Sequence, residues 1–460
     1  QGTRVTAIMP RGIPARRQAE LTRLLGAELS ILKALLEGNA PRCVSRREWE
    51  VCDSYHLQLL GAALPSLALP QLEDFRAAGV RGEVLDFLAQ AEALSDFTRD
   101  FALVRRAEPL AVIRPRDAED LAAIVAFAGR RGLRIGARGG RTSHSAGGQA
   151  LAGGGLVLDM SSMCGIEFDV SGSFVDAGGG ASWNDVVSQA VQRGLAPPVV
   201  TDYQYLSVGG TISMGGFGFM SHREGLQASH VTELDVVTGT GAVVTCYPEG
   251  SPDLFHASRA GLGQFGVIAR ARIPLRQAPT AVHIVRMFYF QSDVAQFVLD
   301  CDKAADGGAD LIHAFLKPRT REAVIKALGA DGADAYRISP PAFRAAVEED
   351  SENERGPPQV LFYLELGLYD ENAARQVELV AGLSPAAGFF STDTLDYITY
   401  VTRDPPVIEI NRERGPMPHP SIALTLSGTS ARRFIQLYLD SERGPAELTE
   451  VLITPLWRAS

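Results

Sequence analysis

Cysteine is scarce and unpatterned: Cys43, Cys52, Cys164, Cys246 and Cys301 are scattered over 460 residues with no C-x-x-C pair. An odd, dispersed set fits neither a disulfide framework nor a zinc site, so no metal is expected, and Cys43, Cys52, Cys164 and Cys246 read as small buried apolar residues. A reducing cytoplasm is the expected setting, and a chain whose secretion signal had been trimmed would read the same way. No apolar run approaches a membrane span, and the start at Gln1 shows no signal-peptide pattern. Positive charge is also short. With 44 Lys and Arg against 54 Asp and Glu the formal net charge is −10 and the pI about 5.4. An acidic protein offers no counter-charge to nucleic acid or an anionic membrane, which excludes both as main partners and leaves a small molecule as the expected ligand. Oligomeric state is left open.

Glycine, by contrast, is dense in two places. One run is Gly136-Ala-Arg-Gly-Gly-Arg-Thr-Ser-His144-Ser-Ala-Gly-Gly-Gln149, the other Thr201-Asp202-Tyr-Gln-Tyr-Leu-Ser207-Val-Gly-Gly-Thr211-Ile-Ser213-Met-Gly-Gly216. Such runs let the backbone approach a ligand and turn consecutive N–H groups inward as an anion-binding nest, which suits a pyrophosphate. Neither run ends in Lys-Ser/Thr, and neither has the G-x-G-x-x-G that opens a dinucleotide-binding helix, so the two commonest phosphate cradles fit poorly.

The periodicity around these runs gives the fold class. Leucines from Leu21 to Leu36 recur at helical spacing between Pro14 and Gly38, and further helical patterns continue to Ser95. From Ala111 strands and helices alternate: strand Ala111 to Ile113, helix Asp117 to Arg130 stopped by Gly132, strand Leu133 to Ala137, strands Leu156 to Met160 and Ser173 to Ala177, then a helix from Trp183 to Arg193 with a Ser182/Asp185 capping box. Gly239-Thr-Gly241 predicts a hairpin, Pro252 to Ser258 a short helix and Gly266 to Pro274 a closing strand. The pattern implies an α+β protein rather than a doubly wound parallel sheet. Beyond Leu275 come strand Val282 to Phe290, helix Val294 to Ala305, strands Leu311 to Lys317 and Gln359 to Gly367, and an acidic run Glu348 to Glu354 read as a solvated face.

Five motifs in register now carry a resemblance. His144-Ser145 with Gln149, Leu156 to Met160, Val175-Asp-Ala-Gly-Gly-Gly180, Thr201-Asp202-Tyr203 with Val208-Gly-Gly-Thr211, and Gly261-Leu-Gly-Gln-Phe-Gly-Val-Ile268 resemble the PCMH-type FAD-binding domain of the vanillyl-alcohol oxidase superfamily, and within it the cytokinin dehydrogenases. The resemblance runs from about Asp100 to about Leu275 and continues more weakly to Trp457. It implies a helical extension over residues 1–95, an FAD-binding domain over 96–277 built from two α/β subdomains, and a substrate cap domain over 278–460. Family members continue past the Trp457-like position, whereas this sequence stops at Ser460.

By the same resemblance His144 bonds covalently to the flavin 8α carbon. The pyrophosphate is held by Gly139, Gly140, Arg141, Thr142 and Ser143, and the flavin by Ser145, Gln149, Asp202, Ser207, Gly210, Thr211, Ser213, Phe217 and Ile268. Asp202 is the catalytic base, because a carbon losing hydride becomes cationic unless the attached nitrogen or oxygen gives up its proton. A bicovalent flavin would need a cysteine just before Asp202, and Pro197-Pro-Val-Val200 has none. The implied activity is FAD-dependent oxidation of a secondary amine such as an N6-substituted adenine, with quinone or oxygen as electron acceptor; an alcohol or carbohydrate oxidase, or a flavin-binding protein without turnover, are the alternatives. His222, Arg223 and Glu224 read as surface or structural.

Overall fold

The computed structural model describes residues 72–86, 95–98, 108–139, 155–349, 359–370, 373–403, 428–439 and 451–453. The leucine-rich helix expected between Pro14 and Gly38, Cys43, Cys52, the stretch from Gly140 to Gln149, most of the acidic run and Trp457 lie outside them.

The first lobe contains helix α1 (Leu72–Ala77), strands β1 (Glu83–Asp86) and β2 (Ala111–Arg114), helix α2 (Ala118–Arg131), and strands β3 (Ile135–Arg138) and β4 (Leu156–Asp159). They form a four-stranded sheet ordered β1-β2-β4-β3, with β2, β4 and β3 parallel and β1 antiparallel at the edge. Within the stretch read as helical to Ser95, Glu83–Asp86 is therefore a strand, because Phe75 and Val80 give it an apolar seat beside α2. Helix α2 starts where Asp117 accepts the Asp120 N–H at 2.9 Å and stops at Gly132, whose φ of +65° is left-handed. Its Leu121, Ile124 and Ala128 are wholly buried against Ile113, Leu156 and Leu158 on one side and Val237 and Ala269 of the next sheet on the other.

The second lobe runs through β5 (Ile166–Phe168), β6 (Phe174–Gly178), α3 (Trp183–Val191), β7 (Leu195–Ala196), α4 (Val208–Met214), α5 (Ser221–Glu224), α6 (Gln227–His230), β8 (Glu233–Val237), β9 (Val243–Cys246), α7 (Pro252–Ser258), β10 (Val267–Pro274) and β11 (Arg276–Gln277). Its sheet, β5-β6-β10-β8-β9, is antiparallel throughout. The capping box holds: Ser182 Oγ accepts from the Asp185 N–H at 3.1 Å and donates to the Asp185 carboxylate at 2.7 Å. Cys246 is buried as expected, but Cys164, read as buried, is exposed, because it falls in the turn before β5 rather than inside a strand.

The third lobe contains β12 (Ala281–Phe290), α8 (Val294–Asp306), β13 (Leu311–Pro318), α9 (Arg321–Leu328), α10 (Gly332–Ile338), α11 (Pro341–Glu349), β14 (Val360–Tyr369), α12 (Ala373–Ala381), β15 (Phe390–Asp396), α13 (Tyr397–Val401), α14 (Gly428–Leu439) and β16 (Val451–Ile453). The sheet is antiparallel in the order β15-β12-β14-β13-β16. One face is dry, with Met287, Tyr289, Ile312, Leu364 and Leu366 packed beneath Phe297, Cys301, Ile435 and Leu439 of α8 and α14. The other face is divided. Val282, Ile284 and Leu311 pack on Val199, Val200, Phe219 and Met220 of the second lobe, while Phe288, Leu361 and Tyr363 pack on Val324, Phe343 and Val347 of α9 and α11. The protein is α+β, with two α/β subdomains followed by this antiparallel cap sheet.

Candidate active site

Three glycine stretches converge. Gly139, at the end of β3, touches Ser207: a Cβ at Gly139 would fall on the Ser207 hydroxyl. Gly209 lies against Gly179, to whose carbonyl it donates at 2.9 Å, and Gly179 donates to Ala269 at 2.8 Å, at the β-bulge that follows the buried Ile268. Only residues without a side chain let three backbones meet this closely. The close approach is a cradle that side chains would fill, and it fits the FAD assignment.

The second glycine run differs from a nest. Ser207 caps α4, its hydroxyl accepting from the Gly210 N–H at 3.3 Å; the N–H groups of Val208, Gly209 and Thr211 donate to the carbonyls of Ala181, Gly179 and Ser207. A helical first turn closes these donors inward, so this run supplies shape and the Ser207 hydroxyl rather than a ring of open N–H groups. Thr211 is buried, with its hydroxyl accepting from Trp183 Nε1 at 2.7 Å and donating to the Val208 carbonyl at 3.2 Å. Ser213 donates to the Gly209 carbonyl at 2.7 Å, and Phe217 is exposed, like Tyr205, Met214 and Leu262. Ala260 and Leu262 hold φ of +53° and +54°, and their N–H groups donate to the carbonyls of Ile212 and Ser213. Left-handed backbone at two non-glycine residues is strain of the kind that gathers at ligand sites. Gly140, Arg141, Thr142, Ser143, His144, Ser145 and Gln149 lie outside the described residues.

Asp202 is half-buried in a braced loop. The Thr201 hydroxyl donates to the Tyr203 carbonyl at 2.8 Å, and Gln204 Nε2 donates to the Thr201 carbonyl. Gly218 lies against Val200 and Thr201, so the Phe217 to Met220 segment backs the loop.

Phe219 joins this loop to the cap. Its carbonyl accepts from the Ile312 N–H at 2.9 Å and is 3.2 Å from His222 Nδ1, whose Nε2 lies 2.8 Å from the Ala309 carbonyl. His222, read as surface or structural, is a buried cross-lobe link, and Arg223 pairs with Asp310 while Glu224 pairs with Arg276 at 2.9 Å.

A polar row crosses the cap sheet between its two apolar patches. His313, Glu365, Arg286 and Ser391 are successive cross-strand partners on β13, β14, β12 and β15. Glu365 is 2 % exposed and accepts from Arg403 at 2.6 Å, Tyr363 at 2.6 Å, Tyr400 at 2.9 Å and Arg286 at 3.2 Å. Burial opposes its charge, but the Arg403 guanidinium holds the carboxyl well below its usual range. Burial pushes His313 down to about 4 against the pull of Glu365. It is therefore neutral at pH 7, and its Nδ1 accepts from Arg403 at 3.1 Å. None of these residues was singled out in the sequence. Glu365 inside the apolar strand Val360-Leu-Phe-Tyr-Leu-Glu-Leu is the one local signal that would have found them.

These features define a PCMH-type FAD-binding domain joined to an antiparallel cap sheet. Residues 109–247 match the family described as FAD binding domain. The chain is 31% identical to cytokinin dehydrogenase 4 of Arabidopsis thaliana over 376 residues, 76% of this chain and 69% of that protein. It is 44% identical to cytokinin dehydrogenase 5 of rice (Oryza sativa subsp. japonica), over 44% of this chain and 40% of the relative, so the chain spans less than half of that relative's length. Among solved structures, 6-hydroxy-D-nicotine oxidase from Arthrobacter nicotinovorans aligns with a TM-score of 0.55 at 24% identity, covering 75% of this chain and 66% of that one. Glucooligosaccharide oxidase from Acremonium strictum, whose FAD is 6-S-cysteinyl and 8α-N1-histidyl, aligns at 0.52 and 19% identity, covering 72% and 62%. The chain belongs to the cytokinin dehydrogenase family.

The Gly139 contact gives a first prediction. Gly139→Ala should purify with less flavin per polypeptide, because the new methyl group displaces Ser207 and the α4 cap. Adding Ser207→Gly should restore part of the flavin absorbance, since it removes the atoms struck. Full loading of the single variant would show that the two segments do not meet at the cofactor.

Among the described residues no group of His, Cys, Asp and Glu is placed to hold a metal ion, and no helix is long and apolar enough to cross a membrane.

Proposed function

We propose that this protein is an FAD-dependent amine dehydrogenase acting on an N6-substituted adenine. The observation that carries the reading is that the braced Thr201-Asp202 loop runs on into Ser207, which meets Gly139 in the glycine cradle, while Gly218 and Phe219 back the loop from the cap side. Family membership supports the substrate class. When bound, FAD would supply at N5 an acceptor for the hydride on the carbon attached to the amine nitrogen. Asp202 takes the proton from that nitrogen as the hydride leaves, so the organic product is a neutral imine, which water splits to an aldehyde and free adenine. One hydride and one proton leave the substrate, and a quinone or oxygen would be the final acceptor of the hydride's two electrons. Ser207 and the backbones of Gly139 and Gly179 would hold the cofactor. His144 is the residue for a covalent bond to the 8α carbon, as a histidyl linkage at 8α is present in the Acremonium oxidase.

Two measurements test this. Anaerobic addition of N6-isopentenyladenine should bleach the bound flavin, while a primary alcohol or an oligosaccharide should not. Acid precipitation should carry the yellow chromophore into the pellet, and His144→Ala should release it to the supernatant. A flavin bleached by the sugar alone would turn the reading to the carbohydrate oxidases.

A further inference from the structure

The cap sheet buries more charge than its stability requires. Glu365 and Arg286, with Tyr363, Tyr400 and His313 and the half-buried Arg403 beside them, occupy positions where apolar side chains of similar volume would serve as well or better, because the desolvation of buried ions offsets most of their attraction. Buried charges of this kind concentrate where geometry matters to function. The cluster lies where the cap meets Phe219. The Arg403 guanidinium lies 4.1 Å from the centre of the Tyr400 ring and 5.6 Å from that of Phe219. The His313 ring meets Phe219 edge-on with centroids 4.1 Å apart, and meets Phe315 on its other side at 4.0 Å. The neighbouring Ile312 N–H holds the Phe219 carbonyl at 2.9 Å. Phe219 is thus fixed through its ring and its backbone by the same cap strand and its partners. One residue earlier, Gly218 rests on Val200 and Thr201, and Asp202 follows directly.

We propose that the Glu365–Arg403–His313 cluster is a positioning device that, by clamping Phe219, sets the Thr201-Asp202 loop and with it the proton-accepting carboxylate. This inference rests on Asp202 being the base. Arg403 and Phe219 then act through Asp202 and touch neither substrate nor cofactor. Glu365 orients Arg403, and His313 accepts one of its N–H groups. The arrangement makes catalysis sensitive to how the cap is seated, since a base misplaced by about 1 Å can lose on the order of a hundredfold in rate.

The test is a double-mutant cycle on the flavin-loaded protein, reading the rate of anaerobic flavin reduction by N6-isopentenyladenine across pH. Arg403→Lys keeps the charge next to Glu365 and loses the planar stack; Phe219→Leu removes the ring and leaves every ion pair intact. Each should slow reduction roughly tenfold to a hundredfold and move the pH midpoint of the rate, with substrate affinity little changed. In an Asp202→Asn background neither should slow reduction further. Equal losses in both backgrounds, or parent rates for both variants, would overturn the positioning role while leaving Asp202 as the base. Parent-rate reduction by Asp202→Asn alone would overturn the base assignment and the inference together. Thermal melts and flavin content show whether each variant is folded. If Arg403→Lys loses its flavin, Phe219→Leu carries the same comparison, and an additive loss there overturns the clamp.

Discussion

Flavin reduction by Asp202→Asn is expected to be about a hundredfold to ten-thousandfold slower than in the parent under anaerobic conditions, the usual loss when a positioned base is removed. Asparagine keeps the volume of the side chain and its capacity to accept a hydrogen bond through oxygen, but it cannot take a proton. The surrounding loop is braced by the Thr201 hydroxyl on Tyr203 and by Gln204 on the Thr201 carbonyl, so the isosteric variant should fold and load flavin. The loss should therefore appear in the reduction rate and not in flavin content. Stopped-flow absorbance of the flavin separates the two. A variant that reduces its flavin at the parent rate would make Asp202 a loop residue and remove the amine mechanism's base.

Truncating Glu365 should have the largest effect on stability. Glu365→Ala leaves the buried Arg286 and the half-buried Arg403 without the carboxylate that pairs with both, and leaves the hydroxyls of Tyr363 and Tyr400 without their acceptor. Removing one partner of a buried ion pair costs about 3–5 kcal/mol, and Asp393, 3.1 Å from Arg286, offsets only part of it. Denaturant unfolding of the flavin-loaded protein measures the difference, and a loss below about 1 kcal/mol would mean that water or rearranged side chains solvate the cluster. The same residues set the acid limb. Burial depresses His313 from 6.5 to about 4, so between those values the unfolded chain binds a proton that the native protein refuses. Stability therefore falls as pH drops from about 6.5 towards 4, and the His313 contribution levels off below that. Glu365, held well below its ordinary 4.5, continues the loss at lower pH as the unfolded carboxylate protonates first. His313→Gln should flatten the segment between pH 6.5 and 4.

The sequence by itself determined the elements whose signals are local. Helix α2 is bounded by an Asp117 cap and a Gly132 stop, α3 by the Ser182/Asp185 box, and β8 and β9 by a glycine turn, and each is fixed by residues within a few positions of its ends. It also determined which residues could lie near a cofactor, because glycine density is readable without knowing what the glycines approach. It took the folded chain to show that Gly139 lies on Ser207 and Gly209 on Gly179, that Val208–Met214 is a capped helix with its N–H groups already engaged, and that Cys164 is exposed. Nor could the sequence assemble the cap cluster. Arg286, His313, Glu365 and Arg403 are separated by 27 to 117 positions, and they meet because an antiparallel register places the first three in one row and α13 returns Arg403 to its end. Register and close approach are pairwise properties of distant segments, settled by which apolar faces find cover. A charge inside an apolar strand shows in sequence only as an anomaly until its partners arrive from elsewhere in the chain.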